Sequence, residues 1–313
     1  MIHIYKTDNK ILRILDQYEE GAWLQLTNPS LEESQQVADQ FNIDILDLRT
    51  ALDDEESSRV SIEDGYTLIL VDIPSREIRN ERDVYTTIPL GVLLTENAII
   101  TVCAEENAVL NHFTQHMLKD FSTKKKMRFL YQILYRCCMY YQSYLRIIDH
   151  KRTEIEENIN RDTEDSDLID LHELESTLVY FATSLRKNGV VLNRLTRYEK
   201  IKQYPEDKEL LEDVIVENTQ AIEMTQIYRD IISGTKELLS TVINNRLNNV
   251  MKYLASITIV MAIPTIISGL YGMNVSSKGM PLSGSVYGFG IICLLTLMVC
   301  IVTIFILRKK NML

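Results

Sequence analysis

Asn248, Met251, Leu254, Thr258, Ala262, Thr265, Gly269 and Gly272 recur at intervals of three and four and so share one face of a helix. Several of them are small or carry a neutral oxygen, an uncommon choice for a face that meets lipid. Such a face serves a close helix–helix contact, or it faces water. Tyr271-Gly272-Met273-Asn274 closes the stripe. Asn274 offers a side-chain carbonyl where a helix leaves its last C=O groups unpaired and its dipole negative. Gly272 is expected to let the backbone turn there. These groups suit a small, hard divalent cation such as Mg²⁺, which gives up its water reluctantly. Neutral oxygens accept hydrogen bonds from the hydration shell without stripping it. Met251 and Leu254 could form apolar constrictions that close a path by dewetting. The stripe has no His or Cys, which argues against a soft, dehydrated ion. One helical hairpin cannot enclose a path, so the water-facing reading requires several copies of the chain.

The segments that hold these residues are set apart by charge. All 44 acidic side chains precede residue 238, and after Lys252 the only charges are Lys278, Arg308, Lys309 and Lys310. Tyr253–Ser277 and Gly279–Leu307 are uncharged, and each exceeds the roughly 20 residues a helix needs to cross a bilayer. Gly279, Pro281, Gly284 and Gly288 punctuate the connection, which predicts a hairpin of two spans. Arg246 and Lys252 precede the hairpin and Arg308–Lys310 follow it, so the positive-inside tendency puts both termini in the cytoplasm. The N-terminus has no apolar run of the kind a cleaved signal carries.

The long acidic part disfavours nucleic acid, which wants a basic face. Its start reads as α/β. Strands are expected at His3–Tyr5, Ala22–Leu26, Val60–Ile62, Thr67–Ile73, Thr86–Thr95 and Ala98–Cys103. Helices are expected at Leu31–Gln40, with Ser30 and Glu33 as a capping box, and at Ile43–Leu52. Then Gly and Pro become scarce and long helices follow over 122–161 and Asp165–Tyr198, with a turn at Gln203-Tyr204-Pro205. A third helix begins near Glu206 and has no Pro before Pro264. From Lys208 to Tyr271 it would measure about 96 Å at ~1.5 Å per residue. The expected organisation is a cytosolic α/β domain over 1–120, a long-helix hairpin over 121–205 and a stalk over 206–252. The first span follows at 253–274, an outer loop at 275–284, the second span at 285–307 and a basic tail at 308–313. The fold class is α+β, a mostly helical membrane protein. The five cysteines form neither a CxxC motif nor a secreted framework.

Tyr271-Gly272-Met273-Asn274 at the end of the penultimate span, with Pro264 before it and a basic tail after it, resembles the CorA family of magnesium transporters. The likeness extends over the whole chain. It implies a funnel-shaped homopentamer in the membrane, with the first span lining a pore and Asn274 meeting hydrated ions at the outer mouth. Asn248, Met251, Leu254, Thr258, Ala262, Thr265 and Gly269 would be pore-lining. Arg308, Lys309 and Lys310 would form a basic ring at the inner end of the stalk. The resemblance also implies Mg²⁺ in two roles, transported and regulatory, with no organic cofactor. Asp213 is similar to an acidic residue of the regulatory site, and Asp53, Asp54 and Glu55 are candidate partners for it. Two departures stand out. Many members carry an acidic Met-Pro-Glu element in the outer loop, whereas Val275–Leu282 has no carboxylate and contains Lys278. Ala262 is smaller than the Met often found at its level.

Three other readings remain on the sequence. A relative that carries Zn²⁺ would share this architecture. A membrane-anchored metal sensor or scaffold would need the spans and stalk but no graded polar stripe. An enzyme is not expected: there is no nucleophile–base constellation, and His112 and His116, four apart, lack a third ligand nearby.

Overall fold

The computed structural model describes residues 1–8, 11–79, 82–115, 121–158, 165–197, 204–274, 279–282, 284–310 and 312. Val275–Lys278 of the expected loop, Gln203 of the expected turn and His116 lie outside them. The chain divides into two compact units, Met1–Lys236 and Glu237–Leu313.

In the first unit a seven-stranded sheet is built from β1 (Ile2–Asp8), β2 (Ile11–Leu15), β3 (Trp23–Thr27), β4 (Arg59–Ile62), β5 (Tyr66–Arg79), β6 (Arg82–Thr95) and β7 (Ile99–Cys103). The spatial order is β2-β1-β3-β7-β6-β5-β4, antiparallel except where β3 and β7 run parallel. The sheet is covered on both faces. Leu24, Leu26, Leu68, Leu70, Leu93, Ile100 and Val102 alternate onto one face. There they meet Val37 of α1 (Leu31–Phe41) and Leu48 of α2 (Ile45–Arg49). On the other face Trp23 stacks edge-on against Phe129 at 5.0 Å, and the Tyr141 hydroxyl donates to the Asp72 carbonyl at 3.1 Å. Phe129 and Tyr141 belong to α4 (Lys126–Asn158). Double coverage explains why Tyr66–Ser75 is buried at every position instead of every second one.

The first unit departs from the sequence expectation at four places. Strand β2 lacks a clean alternation and is an edge strand paired to β1 alone, with Ile14 exposed. Helix α3 (Ala108–Gln115) is too short to display a period; Asn107 caps it by accepting from Leu110 N at 2.9 Å. Strands β5 and β6 run past Pro74, the residue that bounded the expected strand. Beyond Leu70, β5 has a neighbour only on its β6 side, where a residue without an N–H is tolerated. The expected helix at Ile43–Leu52 is α2 followed by a 3₁₀ turn, Thr50–Leu52. The capping box at Ser30 and Glu33 is present.

Helix α5 (Asp165–Leu195) packs on β5 and β6, burying Leu171, Leu178, Phe181 and Leu185. Helix α6 (Pro205–Tyr271) is one element of 67 residues. Its first turns bury Leu211, Val214, Asn218, Ala221 and Thr225, a rhythm of three and four. It is tied to α4 by Gln142 Nε2, which donates to Glu217 Oε2 at 2.6 Å, and to α5 by Asn218 Nδ2, which donates to the Leu185 carbonyl at 3.2 Å. Gly189 leaves room beside that bond: a Cβ there would lie 3.3 Å from Asn218 Nδ2.

The second unit contains α6 from Glu237 onward and α7 (Gly288–Lys309). Both helices are long and apolar enough to cross a membrane. Tyr271 Oη donates to the Pro281 carbonyl at 3.1 Å and links the end of α6 to the turn before α7.

Candidate ion pathway and sensing residues

Helix α6 presents two different faces in the second unit. Ser256 is buried, and Val260, Ile263 and Ile267 are half-buried. They fall within a narrow arc when residues are spaced about 100° apart. This is the face toward α7: Ile267 and Ser268 share a cavity with Ile292, Thr296 and Cys300. Pro264 lies beside it. As a proline it cannot donate to the Val260 carbonyl four residues back, and the Cys300 thiol approaches that same carbonyl at 4.0 Å instead. In a medium without water an orphan carbonyl is costly, and this contact gives the freed Val260 carbonyl a neighbour across the hairpin.

The stripe lies about 180° away from that face. Met251, Leu254, Thr258, Thr265 and Gly269 are exposed, and Ala262 is half-buried. A Cβ added at Gly269 would meet nothing within 4 Å. The stripe is therefore not the contact between the two helices of one chain. Asn248 is exposed too, but sits about 80° off the centre of the stripe. Both stripe hydroxyls are oriented by their own helix: Thr258 Oγ1 donates to the Leu254 carbonyl at 2.9 Å and Thr265 Oγ1 to the Met261 carbonyl at 3.0 Å. With the proton so directed, each oxygen offers only lone pairs outward. An outward acceptor suits the water around a cation.

At the end of the helix Tyr271, Gly272, Met273 and Asn274 are all exposed. Gly272 does not adopt the left-handed backbone that a sharp turn would use. Its N–H still donates to the Ser268 carbonyl at 2.8 Å, and a Cβ there would come within 3.2 Å of that oxygen. A left-handed turn is therefore not what the glycine supplies at this position. At the opposite end of the hairpin Arg308 and Lys309 occupy the last turn of α7, where cations complement the helix dipole. Lys310 follows as its C-cap, and all three are exposed.

The carboxylates lie in the first unit. Asp213 is exposed on α6 between buried Leu211 and Val214. Asp53, Asp54 and Glu55 are exposed after the 3₁₀ turn, where Asp53 Oδ1 accepts from Glu55 N at 3.0 Å. Among the described residues no group of three or more His, Cys, Asp or Glu converges to hold a metal ion. The structure therefore does not gather Asp213, Asp53, Asp54 and Glu55 into one such cluster within a single chain. Sequence reasoning passed over Ser256 and Cys300. The signal for Ser256 was its place on the face opposite the stripe, and for Cys300 it was the carbonyl that Pro264 leaves free.

The architecture is a covered α/β sheet whose longest helix continues into the first of two helices long and apolar enough to cross a membrane. The family follows from comparison: the model for "CorA-like Mg2+ transporter protein" matches residues 18–309, and the chain belongs to that family. It is 28% identical over 297 residues to the cobalt/magnesium transport protein CorA of Methanocaldococcus jannaschii, covering 92% of this chain and 90% of that one. It is 23% identical to the magnesium transport protein CorA of Helicobacter pylori, covering 93% and 91%. The complete structure of the Methanocaldococcus jannaschii CorA magnesium transporter shares the fold with a TM-score of 0.83 at 23% identity, over 100% of this chain and 99% of that one.

Proposed function

We propose that the chain is the subunit of a homopentameric, channel-type transporter in the cytoplasmic membrane. It passes hydrated divalent cations, Mg²⁺ first and Co²⁺ and Ni²⁺ with it. The observation that carries this reading is the orientation of the stripe. Its acceptor oxygens and small residues point away from α7, and among the described residues none covers Thr258, Thr265 or Gly269. Copies arranged around an axis turn the stripes inward and enclose a path. The first span, 253–274, lines it; the loop, 275–284, lies outside; the second span, 285–307, packs behind; the tail, 308–313, and the part before residue 253 are cytosolic. Asn274 of each copy accepts hydrogen bonds from the hydrated ion at the outer mouth. The stripe oxygens of Thr265 and Thr258 repeat that contact deeper, and Leu254 and Met251 close the path by dewetting. The lack of His and Cys on the stripe favours hydrated Mg²⁺ over Zn²⁺ as cargo. The name of the Methanocaldococcus relative, a cobalt/magnesium transport protein, agrees with this choice.

An inside-negative potential of 100 mV supplies about 2.3 kcal/mol per charge, about 4.6 for a divalent ion, so inward flow needs no nucleotide. Regulation follows from the carboxylates. Asp213, Asp53, Asp54 and Glu55 are exposed hard-oxygen donors, a set that fits a Mg²⁺ ion retaining part of its water. Shared between neighbouring copies, they repel when metal is scarce and are held together when Mg²⁺ binds, which favours the closed state. Flux of Mg²⁺ into liposomes that contain only the purified protein tests the whole reading. Potential-driven uptake is expected; liposomes that hold intact oligomers and stay impermeable would leave the sensor or scaffold reading in its place.

A further inference from the structure

One end of the hairpin gathers cations. Lys252 closes the charged stretch of α6, Arg308 and Lys309 end α7, and Lys310 caps it; all four are exposed. None of the four has an ion-pair partner among the described residues. The only acidic residue of the second unit is Glu237. It lies about 22 Å along the helix from Lys252 at ~1.5 Å per residue, beyond a Debye length of about 8 Å.

A specific contact holds these charges at one depth. The Ser256 hydroxyl is 2.8 Å from the Lys252 carbonyl and 2.9 Å from the Met312 carbonyl, and its one proton serves either. The chain after Lys310 is thus tied to α6 one turn above Lys252. Lys252 lies about 40° from Ser256 around the helix and Tyr253 about 60°. Both are on the α7 side, away from the stripe. The cations therefore surround the outside of the hairpin, not the candidate path. Uncharged helix begins immediately beside them, with Tyr253 exposed at the junction, as suits an amphipathic ring at a headgroup boundary.

We propose that this collar binds the phosphate-bearing headgroups of anionic phospholipids in the cytoplasmic leaflet. The Lys stems lie along the apolar helices while their ammonium groups reach the phosphates, and Arg308 can grip a phosphate with two parallel N–H bonds. Orientation by positive charge and complementation of the α7 dipole would need the same residues but would give no preference among lipids. Lipid preference is therefore the diagnostic. The inference rests on insertion of the two spans and is independent of ion conduction, because its test uses no ion gradient.

The full chain is reconstituted in phosphatidylcholine vesicles that carry spin-labelled phosphatidylglycerol or spin-labelled phosphatidylcholine. The fraction of each probe immobilised at the protein is read by electron paramagnetic resonance. Phosphatidylglycerol is expected to be enriched at low salt, by up to about fivefold for each cation engaged, and the enrichment falls as salt rises. The variant K252Q/R308Q/K309Q/K310Q loses the preference, and K252R/K309R/K310R keeps it. Single Lys→Gln variants, which retain most of the charge that orients insertion, lower it in steps. Equal immobilisation of the two lipids by the parent overturns the proposal, as does an unchanged preference in the glutamine variants. Displacement of the lipid by inorganic phosphate beyond that by chloride of equal ionic strength overturns it in favour of a free-phosphate site.

Discussion

The two units bury side chains by opposite rules. In the first, Trp23, Phe129, Tyr141 and Phe181 are all less than 2% exposed. In the second, Phe289 is 82% exposed, Phe305 71% and Leu294 65%. Polar groups differ in the same sense. The first unit buries Asp72, Asn188 and Asn218 and joins them across elements: Asn188 donates to the Asp72 carbonyl at 2.6 Å and accepts from its N–H at 2.9 Å. In the second, Thr258, Thr265, Thr296 and Thr303 each donate to a carbonyl four residues back on the same helix. One unit contains its own solvent-free core. The other is built for a solvent that already is apolar, where only the backbone and the hydroxyls must be satisfied internally. What the second unit leaves exposed is therefore a statement about its surroundings: lipid on the apolar faces and, in the proposed assembly, copies of itself around the stripe.

The sharpest way to test that contrast is to change Asn274, an exposed polar group at the end of the stripe. Asn274→Ala should cut Mg²⁺ uptake on the order of 100-fold. In the proposed pentamer five copies each lose a hydrogen bond worth about 0.5–1.5 kcal/mol, while the apolar faces of the two spans are untouched. Oligomer size by light scattering should not change; normal uptake would remove Asn274 from the path. Next comes the same substitution made in both units. Phe129→Ala should cost about 3–5 kcal/mol, seen as a lower midpoint in Trp23 fluorescence. Trp23 is the protein's single tryptophan and lies in the first unit, so it reports that unit alone. Phe289→Ala should leave that midpoint in place. If it fell as far, the two units would unfold together and the contrast between their burial rules would fail. Smaller still is Asp213→Lys, which should raise the Mg²⁺ concentration for half-closure several-fold in liposome flux. Closure at the parent's concentration would mean Asp213 is no sensor ligand.

How far the sequence could be read follows from the same contrast. The second unit was legible because its rule is one-dimensional. Charge-free runs mark the spans, and the three-and-four spacing of Met251 to Gly269 marks the stripe. The long helices of the first unit were legible for the same reason, as was the capping box at Ser30. Strand β2 and helix α3 were not, because one is an exposed edge and the other is barely two turns long. Two features of the hairpin are properties of pairs distant in sequence: Cys300 at the carbonyl freed by Pro264, and Ser256 at the Met312 carbonyl. The place of Ser256 opposite the stripe and the carbonyl freed by Pro264 mark one end of each pair, but no local pattern announces the other. The same holds for the carboxylates: Asp213 stands 158 residues after Glu55 in the numbering, and among the described residues they form no group that could hold a metal ion.

The smallest effect concerns the buried polar network itself. Asp72 is 6% exposed, and burial, the largest influence, pushes its carboxyl above the usual range; Ser184, Lys187 and Ser58 pull the other way. A raised folded pKa in an acid means that the folded state holds the proton more tightly than the unfolded chain does. Stability from this group is therefore greatest below the unfolded value near 3.8. It declines as pH rises toward the folded value and is flat beyond it. Asp72→Asn keeps the shape, and the hydroxyls of Ser184 and Ser58 can accept from the new amide. The variant should match or exceed the parent near neutral pH, by no more than about 1 kcal/mol, and the advantage should vanish as pH falls through the unfolded value. Trp23 fluorescence across pH measures both. If the variant lost stability at neutral pH instead, Asp72 would be a charge that the fold uses, and the first unit's buried polar groups would be more than the packing of a closed core.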